Sequence, residues 1–258
     1  MKFLAPLLIS FMTINAHAFT LNNSAKLVFS QDEVTVNVAG GFCNNIGISD
    51  TEFLSIVGDA VDQFWNKAPT SRLKLRQGQI VNLATAYHTD LICTAGTNCT
   101  PNPAIAVASD ILVTCNNNTT NFSSSSILGV TIPNNISGNT ILGSIVMIND
   151  TAATQFDTKS RAEKVAIIAH ELGHAFGLGH SPVEDSLMYY ATVTSRVALG
   201  ADDISGISYL YPKQQPISGC GTVDMSGKGP STWPGLFIGF SIIGLAELFR
   251  KKKVKLYT

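Results

Sequence analysis

Apolar positions change their period several times along this chain, and each change marks an element. Val34-Thr-Val-Asn-Val38 alternates apolar and polar, the pattern of a strand with one buried face. From Phe53 the spacing turns helical: Phe53, Ile56, Val57, Ala60, Val61, Phe64 and Trp65 share a face, Ser49 and Glu52 form a capping box ahead of them, and Pro69 ends the helix. Leu73-Lys-Leu75 returns to strand period. Ile111-Leu-Val113, Ile127 to Ile132 and the β-branched run Ile141 to Ile148 predict further strands, the second stopped by Pro133 and Asn134-Asn135. A second helix opens on a capping box of Ser160 and Glu163, turns Val165, Ile168 and Leu172 inward and stops at Gly177. A third begins at Asp202-Asp203, with Ile204, Ile207 and Leu210 on its apolar face, and ends before Pro212. No internal repeat is present.

The two ends carry a different signal. Lys2, the apolar stretch Phe3 to Ile14 and Ala16-His17-Ala18 read as a secretory signal peptide over 1–18, with the mature chain starting at Phe19. Residues 213–232, rich in Gly, Pro and Ser, form a linker to an apolar stretch at 233–249, followed by the basic tail 250–258. A 17-residue helix there spans roughly 25 Å, short of a ~30 Å hydrocarbon core. Two readings stay open: a transmembrane anchor with its basic tail in the cytoplasm, or a bacterial-type sorting signal that a membrane protease removes after export. Either one puts residues 19–212 outside the cytoplasm, at the cell surface, facing the periplasm, or secreted. Charged residues make up only 14% and the net charge is −1, so no basic field exists to attract nucleic acid. In an oxidising compartment the five cysteines favour disulfides: Cys93 with Cys99 as a short staple, Cys43 with Cys115, and Cys220 left over, although four cysteines allow three connectivities.

The chemistry concentrates in His170-Glu171-Leu172-Gly173-His174-Ala175-Phe176-Gly177-Leu178-Gly179-His180. His170 and His174 lie four apart, so on a helix both imidazoles project from one face and reach one zinc at ~2.0–2.1 Å. Glu171, one residue on, is angled away from direct ligation and is placed to take a proton from water at the metal. Gly177 permits the left-handed turn that brings His180 back as third ligand, leaving a fourth position open. Surface histidines on an ordinary helix do not account for three histidines and a glutamate at these offsets.

His-Glu-x-x-His-x-x-Gly-x-x-His is the signature of the metzincin metalloproteases, and this chain resembles their matrixin branch. Ser181 after the third histidine, Ser186-Leu187-Met188-Tyr189 as a Met-turn beneath the metal, and Leu199 to Tyr211 as the last helix carry the resemblance. It implies an α+β fold: a twisted mixed sheet with one antiparallel edge strand, three helices, and a zinc cleft between upper and lower subdomains. It also implies a zinc endopeptidase that binds its peptide or protein substrate as an extended strand along Ile127 to Ile132. Residues 182–198 would shape the specificity pocket.

Several positions depart from the family pattern. No prodomain fits between Phe19 and Val34; Cys43 as a zinc-capping thiol is outweighed by Cys43 as a disulfide partner. His88 is the only mature-chain histidine outside the motif, which rules out a second zinc of the three-histidine type and reads as a surface residue. Tyr190 stands where a proline is usual, and two roles are open for it, a transition-state hydrogen bond or a pocket wall. No hemopexin-like domain follows. Calcium, common in matrixins, would draw on Asp110, Asn149, Asp150 and Asp157, which equally suit turns and caps. The rival from another class is a surface-anchored adhesion or binding protein with a vestigial zinc site.

Overall fold

A computed structural model describes residues 19–93, 100–191 and 196–213. The expected signal peptide, most of the linker, the stretch 233–249 and the basic tail lie outside the described residues, as does Cys99. Among the described residues no helix is long and apolar enough to cross a membrane.

Six strands form one sheet: β1 (Val28–Phe29), β2 (Glu33–Ala39), β3 (Lys74–Val81), β4 (Asp110–Asn116), β5 (Gly129–Ser137) and β6 (Thr140–Asn149). Their order is β1-β6-β4-β2-β3 with every contact in that path parallel. β5 pairs antiparallel with β6 from Gly129↔Ile148 to Ser137↔Thr140, and among the described residues no strand pairs with its other side. The helices are α1 (Asp50–Gln63), a single turn α2 (Ala86–Thr89), α3 (Arg161–Ala175) and α4 (Ala201–Leu210). The mixed sheet and the three long helices agree with the α+β expectation; α2 is an addition, too short to leave a periodic trace.

The sheet is covered on both faces, which explains why β6 is apolar without alternation. Ile141, Val146 and Ile148 join the main core with Phe53, Ile56 and Val57 of α1 and Ile168 and Leu172 of α3. Ile145 and Met147 turn the other way, onto Ile92, Ile105, Val107 and Phe122 from the connecting segments. β2 keeps strict alternation, with Val34, Val36 and Val38 fully buried.

Three element ends differ from the sequence-based expectation. α1 ends at Gln63, and a 3₁₀ turn over Trp65–Lys67 follows, well before Pro69. Phe64 leaves helical angles so that Trp65 can lie buried against α3, where its indole N–H donates to the Ala169 carbonyl at 2.6 Å. Only the Ser49 half of the box ahead of α1 forms, the hydroxyl accepting from Glu52 N–H at 3.2 Å. β5 runs through Pro133 to Ser137, with register shifts at Asn135. Proline is tolerated here because its missing N–H falls on the unpaired side of an edge strand. Asn134 and Asn135 then fasten the covering segment, accepting from Val107 N–H and donating to the Ile105 and Val107 carbonyls.

Cys43 and Cys115 form a disulfide with Cα atoms 5.1 Å apart, so Cys43 is not a free metal cap. Cys93 is disulfide-bonded as well. His88 is half-buried rather than on the surface: its ring stacks on Phe42, Nδ1 bonds the Cys115 carbonyl at 3.0 Å and Nε2 bonds the Asn117 amide at 2.9 Å. Lone placement in a polar stretch hid these partners, which come from β4 and its exit.

Candidate active site

α3 positions the first half of the motif. Its capping box is complete, Ser160 accepting from Glu163 N–H and Glu163 accepting from Ser160 N–H, and its residues from Lys164 to Ala175 are buried. The helix ends before Gly177, at φ 114°, where a side chain would be strained and its Cβ would stand 2.6 Å from the Leu27 carbonyl oxygen. The chain then doubles back, with Leu178 N–H donating to the Gly173 carbonyl at 3.0 Å. The N-terminal segment clamps this return. Gly179 N–H donates to the Thr20 carbonyl at 2.8 Å, and the Thr20 hydroxyl donates to the His180 carbonyl at 2.5 Å.

One ring nitrogen each from His170, His174 and His180 lies within 4.8 Å of the others, and no other such group of His, Cys, Asp or Glu occurs among the described residues. His170 Nδ1 and His174 Nδ1 each meet a carbonyl at 2.8 Å, of Leu187 and Leu178. A carbonyl only accepts, so each Nδ1 carries the proton and each Nε2 presents its lone pair. These two Nε2 atoms are 3.2 Å apart. Tetrahedral ligation at ~2.0–2.1 Å needs donors separated by about 3.3 Å, so the donor set fits a zinc ion. Burial holds His174 well below its ordinary pKa, with His170 beside it adding to the shift, and burial lowers His180 too. Both therefore favour the neutral form that ligates.

The floor is built by the turn that contains Met188. Met188 is buried beneath Gly173, where any side chain would collide with the methionine sulfur and with Trp65. Asp203, at the start of α4, accepts from the Ser186 hydroxyl, from Leu187 N–H at 2.6 Å, from Met188 N–H at 3.0 Å and from Gly200 N–H at 2.8 Å. Leu187 is the residue whose carbonyl orients His170, so the carboxylate fixes that imidazole through one peptide unit. Its neighbour Asp202 accepts from the Ser181 hydroxyl at 2.5 Å. The sequence reading gave both aspartates only a helix-starting role. An acidic pair at a helix N-terminus looks the same whether it caps or braces a distant turn.

Glu171, on α3, is 7% exposed and faces β5. Its Oε2 accepts from the Thr131 hydroxyl of β5 at 2.6 Å. Burial pushes its pKa up, opposed by His170 and by that hydroxyl. Thr131 carried no signal beyond its place in the run Ile127 to Ile132. Two cavities meet at this carboxylate. One is lined by Leu128, Ile167, His170, Lys159 and Tyr190, the other by Leu21, Asn22, Val130, Thr131 and His174, and both include Gly129, Glu171 and His180. Together they make a cleft along the unpaired edge of β5. Tyr190 is 64% exposed and lines the first cavity. Residues 192–195, within the segment expected to shape specificity, lie outside the described residues.

Of the two roles open to Asp110, Asn149, Asp150 and Asp157, the structure shows turn and cap bonds for the first three. Asp110 accepts from Thr35 N–H and the Ser109 hydroxyl, and Asn149 from Thr151. Asp150 accepts from Asn45 and Ile46 N–H at 2.9 Å each, and Asp157 is exposed elsewhere. Among the described residues no group of three His, Cys, Asp or Glu gathers apart from the three histidines.

Three converging imidazoles and a buried carboxylate beside them, set in a cleft along a mixed sheet, make a site that fits one zinc ion. The matrixin family profile matches residues 12–212, and the chain belongs to that family. It is similar to Metalloendoproteinase 2-MMP of Arabidopsis thaliana, 53% identical over 51 residues, covering 19% of this chain and 13% of that protein. It is similar also to Metalloendoproteinase 5-MMP of the same plant, 38% identical over 89 residues, covering 31% and 24%. Human Matrix metalloproteinase-19 is 45% identical over 53 residues, covering 20% and 10%. The matches span a quarter or less of each of these relatives.

Proposed function

We propose that this protein is an exported endopeptidase that hydrolyses peptide bonds in extracytoplasmic or extracellular proteins. His170, His174 and His180 would hold one zinc ion, and Glu171 would serve as general base. The observation that carries this reading is the placement of a buried carboxylate between a three-imidazole cluster and an unpaired strand edge. An adhesion protein with an idle metal site has no need of a buried carboxylate aimed into its cleft.

Leu128 accepts from Asn149 N–H of β6 at 3.0 Å, so by the alternation of an antiparallel ladder Gly129 and Thr131 turn their own N–H and C=O groups outward. A substrate strand laid beside them would gain main-chain bonds that tolerate varied side chains, and its scissile bond would lie next to Glu171. Bound zinc would supply Lewis acidity, polarising the scissile carbonyl and acidifying water. Glu171 takes the proton of the attacking water and later passes it to the leaving amine; a carboxylate whose pKa burial has raised holds that proton more readily in between. Tyr190 borders the cavity that His170 lines, as wall or as hydrogen-bond donor to the developing charge. The signal at 1–18 would export residues 19–212, and 233–258 would anchor them or be removed.

Glu171→Ala tests the reading. The purified variant should keep stoichiometric zinc by atomic absorption and lose about 10²–10⁴-fold in kcat on a casein-type substrate. Cleavage at the parent rate would sink the mechanism.

A further inference from the structure

Thr131 sits on β5, forty residues before Glu171 in the chain, yet its hydroxyl is the hydrogen-bond donor to the Glu171 carboxylate among the described residues. The side chain is 8% exposed, so the bond is shielded from competing water. A glutamate side chain has three rotatable bonds and, unless restrained, samples several directions. No arginine or lysine forms an ion pair with Glu171 among the described residues. The opposite side of the carboxylate is bounded by Gly129, where an added Cβ would stand 2.6 Å from both Cδ and Oε1. A hydroxyl on one oxygen and a bare backbone against the other leave the group one orientation.

We infer that Thr131 is a positioning residue for Glu171, aiming the carboxylate into the cleft, with Gly129 providing the space it occupies. This rests on the endopeptidase reading above and assigns β5 a second duty: the strand that offers its backbone to the substrate also holds the base. Donation to Oε2 engages one lone-pair set of that oxygen and leaves Oε1 for the reacting water. The bond is of the charge-assisted O–H···O⁻ kind, the strong class for a neutral donor.

The test uses the full mature chain, loaded with zinc. Thr131→Val keeps shape and backbone and removes only the hydroxyl; Thr131→Ser keeps the hydroxyl. The valine variant should retain stoichiometric zinc and a KM within about twofold of the parent, with kcat lower by about tenfold, the factor expected from losing one charge-assisted bond. The serine variant should recover most of kcat. A crystal structure of the zinc-free valine variant should show the Glu171 carboxylate rotated away from its parental direction, a readout independent of turnover. Parental kcat in Thr131→Val, an equal loss in the serine variant, or an unmoved carboxylate in the crystal would overturn the assignment. Failure of the two readings is separable. If the parent cleaves peptides and Glu171→Ala does not, a fully active valine variant removes only the role of Thr131. If the parent cleaves nothing, the crystallographic comparison still decides that role.

Discussion

The two sides of the cleft are held in opposite ways. The floor, made of α3, the Met188 turn and the start of α4, is braced redundantly. His170 and His174 each have a second nitrogen bonded to a carbonyl, and Asp203 alone accepts four hydrogen bonds that fix the turn. The wall, made of β5, holds Glu171 by one hydroxyl and one close backbone approach. The difference separates two kinds of work. The floor must keep three nitrogens in place, two of them on buried rings, so its faults should cost metal and fold. The wall must aim a single carboxylate, so its faults should cost rate and little else.

The largest effect should come from the floor. His174→Ala removes one of three ligands, and metal analysis should find zinc lost and peptidase activity abolished; stoichiometric zinc in that variant would contradict the site. Next in size is Asp203→Ala, which orphans the Leu187 and Gly200 N–H groups and the Ser186 hydroxyl and leaves Met188 N–H with the Ser186 oxygen alone. Urea denaturation should show a loss of about 3–5 kcal/mol, with weaker zinc retention following. A loss near 1 kcal/mol would mean that the floor is no better braced than the wall.

A smaller effect concerns pH. Burial depresses the folded-state pKa of His174 and His180 below the unfolded value of 6.5. The unfolded chain then binds more protons, so this stability is fully present above pH 6.5 and is lost as pH falls below it. Glu171, raised by burial, has the opposite sign, being stabilising in its protonated form at low pH. Metal-free Glu171→Gln removes that opposing contribution, and its unfolding free energy should fall by up to about 1.4 kcal/mol for each pH unit below 6.5 through the buried His174, the exposed His180 adding less because water screens it. A flat profile from pH 7 to 5 would show that the cluster is open to water. Smallest of all, Thr131→Val should change unfolding free energy by about 1 kcal/mol or less while changing kcat about tenfold. A stability loss comparable with that of Asp203→Ala would erase the distinction between wall and floor.

What the amino-acid order alone determined is what lies within one or two turns of itself. His170 and His174 share a face because a helix repeats every 3.6 residues, and Gly177 marks the reversal because φ near 114° suits only glycine. Met188, eight residues past His180, was readable for the same reason, as were the capping box of α3 and the alternation of β2. Tertiary structure alone decided the partners that meet across many residues: Thr131 with Glu171, Asp203 with the Met188 turn, His88 with the exit of β4, and Asp150 with the backbone of Asn45 and Ile46. It also carried β5 through Pro133, because an edge strand has an unpaired side, and which strand is an edge follows from the order of the sheet. Periodicity records which way a residue faces. It holds no record of what arrives on that face from elsewhere in the chain, and from there came the hydroxyl and the backbone that hold Glu171.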